Sequence, residues 1–124
     1  MKPGHRVYLD NVPDTLMLEW PDDVVVVRRL PPAQRTSLDV AWTFCADRAR
    51  LERRLEPIAQ RLASNGMVWV SWPKKGSGVA TDLDENVVRA IGLGAGLVDV
   101  KVAAVDETWS GLKFVYRLAD RPTA

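Results

Sequence analysis

Directly after the β-like run Met-Val-Trp-Val-Ser-Trp and Pro73, the chain reads Lys74-Lys75-Gly76-Ser77-Gly78. Two ammonium groups attract phosphate or carboxylate, glycines let backbone amides approach, and a helix starting near Thr81 and Asp82 would add partial positive charge. Lys74, Lys75, Gly76 and Ser77 are therefore candidate ligand-binding residues. The spacing is not that of a Walker loop, Asp82 would compete for the helix amides, and a solvated turn is the competing reading. The second stretch able to do chemistry is Asp106-Glu107-Thr108-Trp109-Ser110-Gly111. Asp106 or Glu107 could act as acid or base or pair with Lys74 or Lys75, and Trp109 could stack on a ring. Thr108 and Ser110 flank that tryptophan as further ligand contacts. The competing reading has Trp109 closing the end of the core and the acids forming ion pairs. His5 sits in a turn near the N-terminus, so no Ser-His-Asp arrangement can be assembled. One cysteine and one histidine leave only carboxylates for a metal, and neither a metal nor a cofactor is expected.

These loops need a scaffold, and the apolar patterning supplies one. Arg6 to Leu9, the β-branched run Val24 to Val27, and Leu38 to Cys45 read as strands. Asp47 is an N-cap for a helix from Arg48 to Ala63, with Leu51, Leu55, Ile58, Ala59 and Leu62 as its apolar stripe and Pro57 as a kink. Arg50, Arg53, Arg54 and Arg61 fall mainly off that stripe. Asn65-Gly66 stops the helix and Met67 to Trp72 is the next strand, with Trp69 in the core. Asp82 with Glu85 makes a capping box for a helix burying Val87, Val88 and Ile91, which Gly92, Gly94 and Gly96 break. Leu97 to Val105 and Leu112 to Leu118 form a hairpin whose last strand is an antiparallel edge, and Asp120 to Ala124 is a frayed tail.

The fold class expected is α/β: a small three-layer, Rossmann-like, mostly parallel sheet with a C-terminal antiparallel hairpin. Sheets of this kind bind ligands outside the carboxyl ends of their strands, where Asp10-Asn11, Lys74 to Ser77 and Asp106 to Gly111 all fall. At 124 residues the chain fits one domain, residues 1–124, with a single core. A net charge of +1 gives no pull towards nucleic acid, and 47% hydrophobic with 27% charged residues excludes a disordered chain. Cys45, alone and in an apolar run, reads as a buried thiol in a reducing compartment. With no stretch long enough to span a membrane, a soluble cytoplasmic protein is expected.

Residues 47 to 117 resemble the bacterial domain of unknown function 3052 family, most specifically in GMVWVSWPKK (Gly66 to Lys75), ATDL (Ala80 to Leu83) and GLVDVKVAAVDETWSGLKF (Gly96 to Phe114). The KPG-x-RV start at Lys2 to Val7 is similar to the family's opening. This chain starts almost at that motif, without the leading segment of longer members. The resemblance implies a fold and candidate positions but no reaction. The strand order also looks like the later half of a Rossmann-type methyltransferase. Against adenosylmethionine, YLDNVPDTL has no glycine where a nucleotide must approach, and VVVVRR ends in arginines where an acid would hold ribose hydroxyls. A sheet without the dinucleotide site is inferred.

The function these observations favour is a non-enzymatic binding or regulatory module that recognises an anionic ligand or a partner protein at the carboxyl edge of the sheet. One alternative is a small enzyme using Asp106 or Glu107 as acid or base and Lys74 or Lys75 as electrostatic stabiliser. Another is a subunit of an oligomer or larger assembly, joined through Trp109 or an edge strand.

Overall fold

Asp47 starts a helix by accepting the backbone N–H of Arg50 at 2.8 Å, and Leu51, Leu55, Ile58 and Ala59 then turn one buried stripe towards a sheet. The arrangement comes from a computed structural model, which describes residues 6–13, 24–30 and 38–116. Its elements are β1 (Arg6–Asp10), β2 (Val25–Val27), β3 (Leu38–Phe44), α1 (Arg48–Ala59), β4 (Leu62–Pro73), α2 (Glu85–Gly94), β5 (Leu97–Ala104) and β6 (Trp109–Tyr116). All the strands join one sheet in the order β2-β1-β3-β4-β6-β5, parallel from β2 to β4 and antiparallel at both β6 contacts. The expected α/β class, with a mostly parallel sheet and an antiparallel C-terminal pair, is what the chain adopts.

Both helices lie on one face, where Leu51, Leu55, Ile58 and Val88 meet Tyr8, Leu112 and Phe114 in the main cluster. The other face carries a smaller cluster of Val7, Leu9, Val24 and Val40, against which Trp42, Met67 and Trp69 are only half-buried. The core position expected for Trp69 belongs instead to Trp72, which is 5% exposed. The described residues make two layers, a sheet and the helices on one face of it, where three were expected; His5 and the tail from Asp120 lie outside the described residues. No helix among the described residues is long and apolar enough to cross a membrane.

Several boundaries differ from the sequence expectation for identifiable reasons. Helix α1 ends at Ala59, soon after Pro57 removes a donor from its last turn, and β4 starts at Leu62 without waiting for Asn65-Gly66. A bulge lies at the start of β4, since Leu38 pairs with Leu62 and Val40 with Met67. Helix α2 is capped by Asp84, which accepts from Val87 N at 2.8 Å, while Asp82 accepts from Arg48 N at 2.7 Å and ties the loop before α2 to the start of α1. Gly92 does not break α2. It sits buried inside it because a Cβ there would lie 2.1 Å from Cε1 of Phe114. The last strand is no edge: β6 runs between β4 and β5, and Trp109 and Ser110 belong to it, so the turn is shorter than the six residues expected. The edge strand on that side is β5.

Candidate functional site

Because β1, β3 and β4 run parallel and β5 runs parallel to them through β6, the ends of β1, β4 and β5 share one edge of the sheet. The loops after β4 and β5 meet there. Lys74 N donates to the carbonyl of Thr108 at 2.8 Å, and Lys74 Nζ donates to the carbonyl of Asp106 at 2.5 Å. The Asp106 carboxylate does not face the lysine: its Oδ1 accepts the backbone N–H groups of Thr108 at 2.8 Å and Trp109 at 2.7 Å and so shapes the turn. Trp109 packs edge-on to Phe44 with ring centroids 5.3 Å apart, closing the end of the core, and Ser110 continues the strand. Lys75 and Glu107 are exposed. Ser77 N donates to Lys74 O at 3.1 Å and Gly76 takes φ 82°, so residues 74–77 form an open turn. The geometry brings Lys74 to Asp106 through backbone groups, not as an acid facing a base.

A different constellation occupies the topological switch point, where the chain leaves β1 for β2 on one side and returns to β3 on the other. Asp10, 9% exposed, ends β1 opposite Thr43 of β3. Its Oδ2 accepts the Thr43 hydroxyl at 2.7 Å, Arg50 Nη2 at 2.9 Å and Arg54 Nε at 3.4 Å. Arg54 also donates to the Tyr8 hydroxyl, next in line on the same face. One carboxylate with two guanidiniums leaves a net positive pole in which the arginines stay 28% and 29% exposed. Burial and the nearby Asp10 charge raise the Tyr8 phenol above its ordinary pKa, so it is a neutral hydroxyl at physiological pH. Asn11, with φ 58°, bonds its amide to Phe44 O at 3.0 Å and laces the ends of β1 and β3 together. Sequence reasoning placed Arg50 and Arg54 only off the apolar stripe of α1 and gave them no role. The signal that could have found them is their one-turn spacing on the helix leaving β3, on the side that meets the end of β1.

Cys45, next to this cluster, is fully buried with its Sγ 3.5 Å from the Thr43 hydroxyl, and burial pushes its thiol above the ordinary range. The native protein is therefore expected to react with 5,5′-dithiobis(2-nitrobenzoate) about a hundredfold more slowly than the urea-unfolded chain. Equal rates would mean that the β3 end opens freely.

No protein-family profile matches the chain, and no curated protein matches its sequence. Solved structures do match. They include a magnesium protoporphyrin IX methyltransferase from Synechocystis PCC 6803 with bound SAH, at TM-score 0.57 and 12% identity over 79% of this chain and 53% of that one. A TehB-like SAM-dependent methyltransferase from Corynebacterium glutamicum ATCC 13032 matches at TM-score 0.60 and 10% identity, over 94% of this chain and 83% of the other. A pericyclic reaction enzyme matches at TM-score 0.54 and 11% identity, over 94% of this chain and 37% of that one. The chain thus spans about half the length of the first of these and well under half of the last. Identities this low establish the fold. The matches also correct the expectation of a non-enzymatic, anion-binding module, because the fold is one that enzymes use. This sheet has the architecture of the Rossmann-like methyltransferases.

Proposed function

We propose that this chain is an enzyme built on the methyltransferase fold, with its reaction centre at the switch point where β1 and β3 end. The observation that carries the reading is Asp10, a nearly buried carboxylate held by Thr43, Arg50 and Arg54 at the place where open α/β sheets bind their ligands. Removing such charges from water costs several kcal/mol per ion, and apolar residues would pack the same space at less expense. A fixed positive pole of this kind stabilises negative charge that develops on a reacting group. A cytoplasmic location is part of the proposal, supported by the free, buried Cys45. So is membership of the domain of unknown function 3052 family, supported by the GMVWVSWPKK and DETWSG stretches.

Adenosylmethionine, on which the similar Corynebacterium glutamicum protein depends, can be tested against these residues. The turn after β1 has a suitable shape, since Asn11 takes the left-handed conformation that glycine favours. Its side chain, however, is committed to Phe44 O across the end of β3, where glycine would leave the backbone bare. The Asp10 carboxylate is already spent on its three partners, and β2 runs on into Arg28 and Arg29 instead of an acid for ribose hydroxyls. The described residues do not fit the cofactor in that pose, and no methyl-transfer step is derived through it.

The test is to incubate the purified chain with a bacterial metabolite extract supplemented with methyl-labelled adenosylmethionine, and to follow every mass with time. Folded Asp10→Asn and Arg54→Gln variants serve as controls. Conversion by the wild type alone, without label transfer, is the expected result. Conversion with label transfer would keep the enzyme and overturn the judgement on the cofactor. An extract that stays unchanged would remove the enzyme reading.

A further inference from the structure

The face of the sheet away from the helices carries a slot whose shape follows from the pairing register. Ser71, Gly111 and Ala103 are register partners across β4, β6 and β5, a row of small residues on one level. The row towards the amino ends of the parallel strands holds Trp42 and Trp69, again register partners, and beyond the small row stands Val105. The resulting cavity of about 270 Å³ is lined by Trp42, Trp69, Ala103, Ala104 and Val105. Gly111 lets two of these walls close over it, since a Cβ there would come within 3.2 Å of Val105 and 3.3 Å of the Trp69 ring. The Trp42 indole is fixed, with its N–H donating to Ser71 Oγ at 2.8 Å and its ring stacked on Phe44 at 5.0 Å. The Trp69 indole N–H has no acceptor among the described residues.

Charge adds a second, independent observation. Trp69 pairs in register with Lys113, and Lys113 with Lys101 beside a bulge between Asp99 and Lys101, so two lysines occupy neighbouring strands at the level of Trp69. Like charges paired across strands are destabilising, and among the described residues neither lysine has an acid partner. A negative group on a ligand would relieve that repulsion. The cavity is smaller than the usual range for drug-sized ligands, about 300–1,000 Å³, and so suits a single fused ring.

We propose that this slot binds a flat aromatic acid, its ring between Trp69 and Ala103 and its carboxylate towards Lys113 and Lys101. Rings prefer offset or edge contacts with an indole, and a wall of two indoles beside small residues offers both. The site lies on the opposite face from the Asp10 cluster and does not depend on the reaction assigned there.

The test is an NMR titration of the intact chain, reading the indole N–H signals with 2-naphthoate and, separately, with neutral 2-naphthylmethanol. The expected result is that 2-naphthoate moves the Trp69 and Trp42 signals. Lys101→Gln with Lys113→Gln should weaken naphthoate about fivefold, as two exposed charge contacts would, and leave naphthylmethanol unchanged. Ala103→Leu, on an edge strand that tolerates it, should abolish both by filling the slot. No movement of either indole at about 10 mM naphthoate, weaker than any useful site, would overturn the proposal. So would a lysine variant that binds naphthoate as well as the wild type. A concentration-dependent dimer whose Trp69 N–H is shielded in the free protein would also overturn it, by giving the face to a second copy of the chain.

Discussion

Asp10→Ala is expected to lower the unfolding free energy by about 2–3 kcal/mol, seen as a lower urea midpoint at an unchanged slope. The substitution strands two guanidiniums and the Thr43 hydroxyl that now share one carboxylate. Deleting one partner of a fully buried pair costs about 3–5 kcal/mol; the arginines here keep 28% and 29% exposure, so water recovers part of the loss. The same substitution made in an Arg50→Ala, Arg54→Ala background should cost clearly less, because its main partners are already gone. If the two costs match, the cluster is not an interacting unit and Asp10 matters for some other reason.

Phe114→Ala is expected to cost about 3–5 kcal/mol. Phe114 is fully buried on β6 and its ring lies where a side chain at position 92 of α2 would otherwise sit. The reciprocal change, Gly92→Ala, gains about 1 kcal/mol of helix propensity but overpacks against that ring at about 1–3 kcal/mol, so the net change is a loss. Combining Gly92→Ala with Phe114→Leu should recover stability relative to the sum of the single changes. Strict additivity in that cycle would show that α2 does not rest on β6 at Gly92.

Local signals carried much of the architecture. The N-cap at Asp47, the apolar stripe of α1 and the span of β5 were all legible, because each depends on residues within a few positions of one another. The sequence does not order the strands of the sheet, and β6 read as an edge because a hairpin says only that two strands pair. The bulge at the start of β4 and the early end of α1 compete with Asn65-Gly66, a turn signal that here lies inside a strand. Trp69 read as core because apolar runs do not say which face a helix will cover. At the site, the lysine and acid loops were correctly placed on one edge, but their side chains had to be seen to know that Asp106 shapes its own turn. The Asp10 cluster joins residues 40 and 44 positions apart, a distance at which composition and spacing carry no contact information.

The insertion of β6 between β4 and β5 also sets the order of events on the ribosome. Until residues 109–116 have left the exit tunnel, β5 has no neighbour to pair with, and β4 lacks its partner on that side. The nascent chain must therefore hold β5 and the open side of β4 unpaired while it waits for β6, a state prone to association with other chains. A stop codon just before Trp109 would remove one strand from the sequence and two from the sheet.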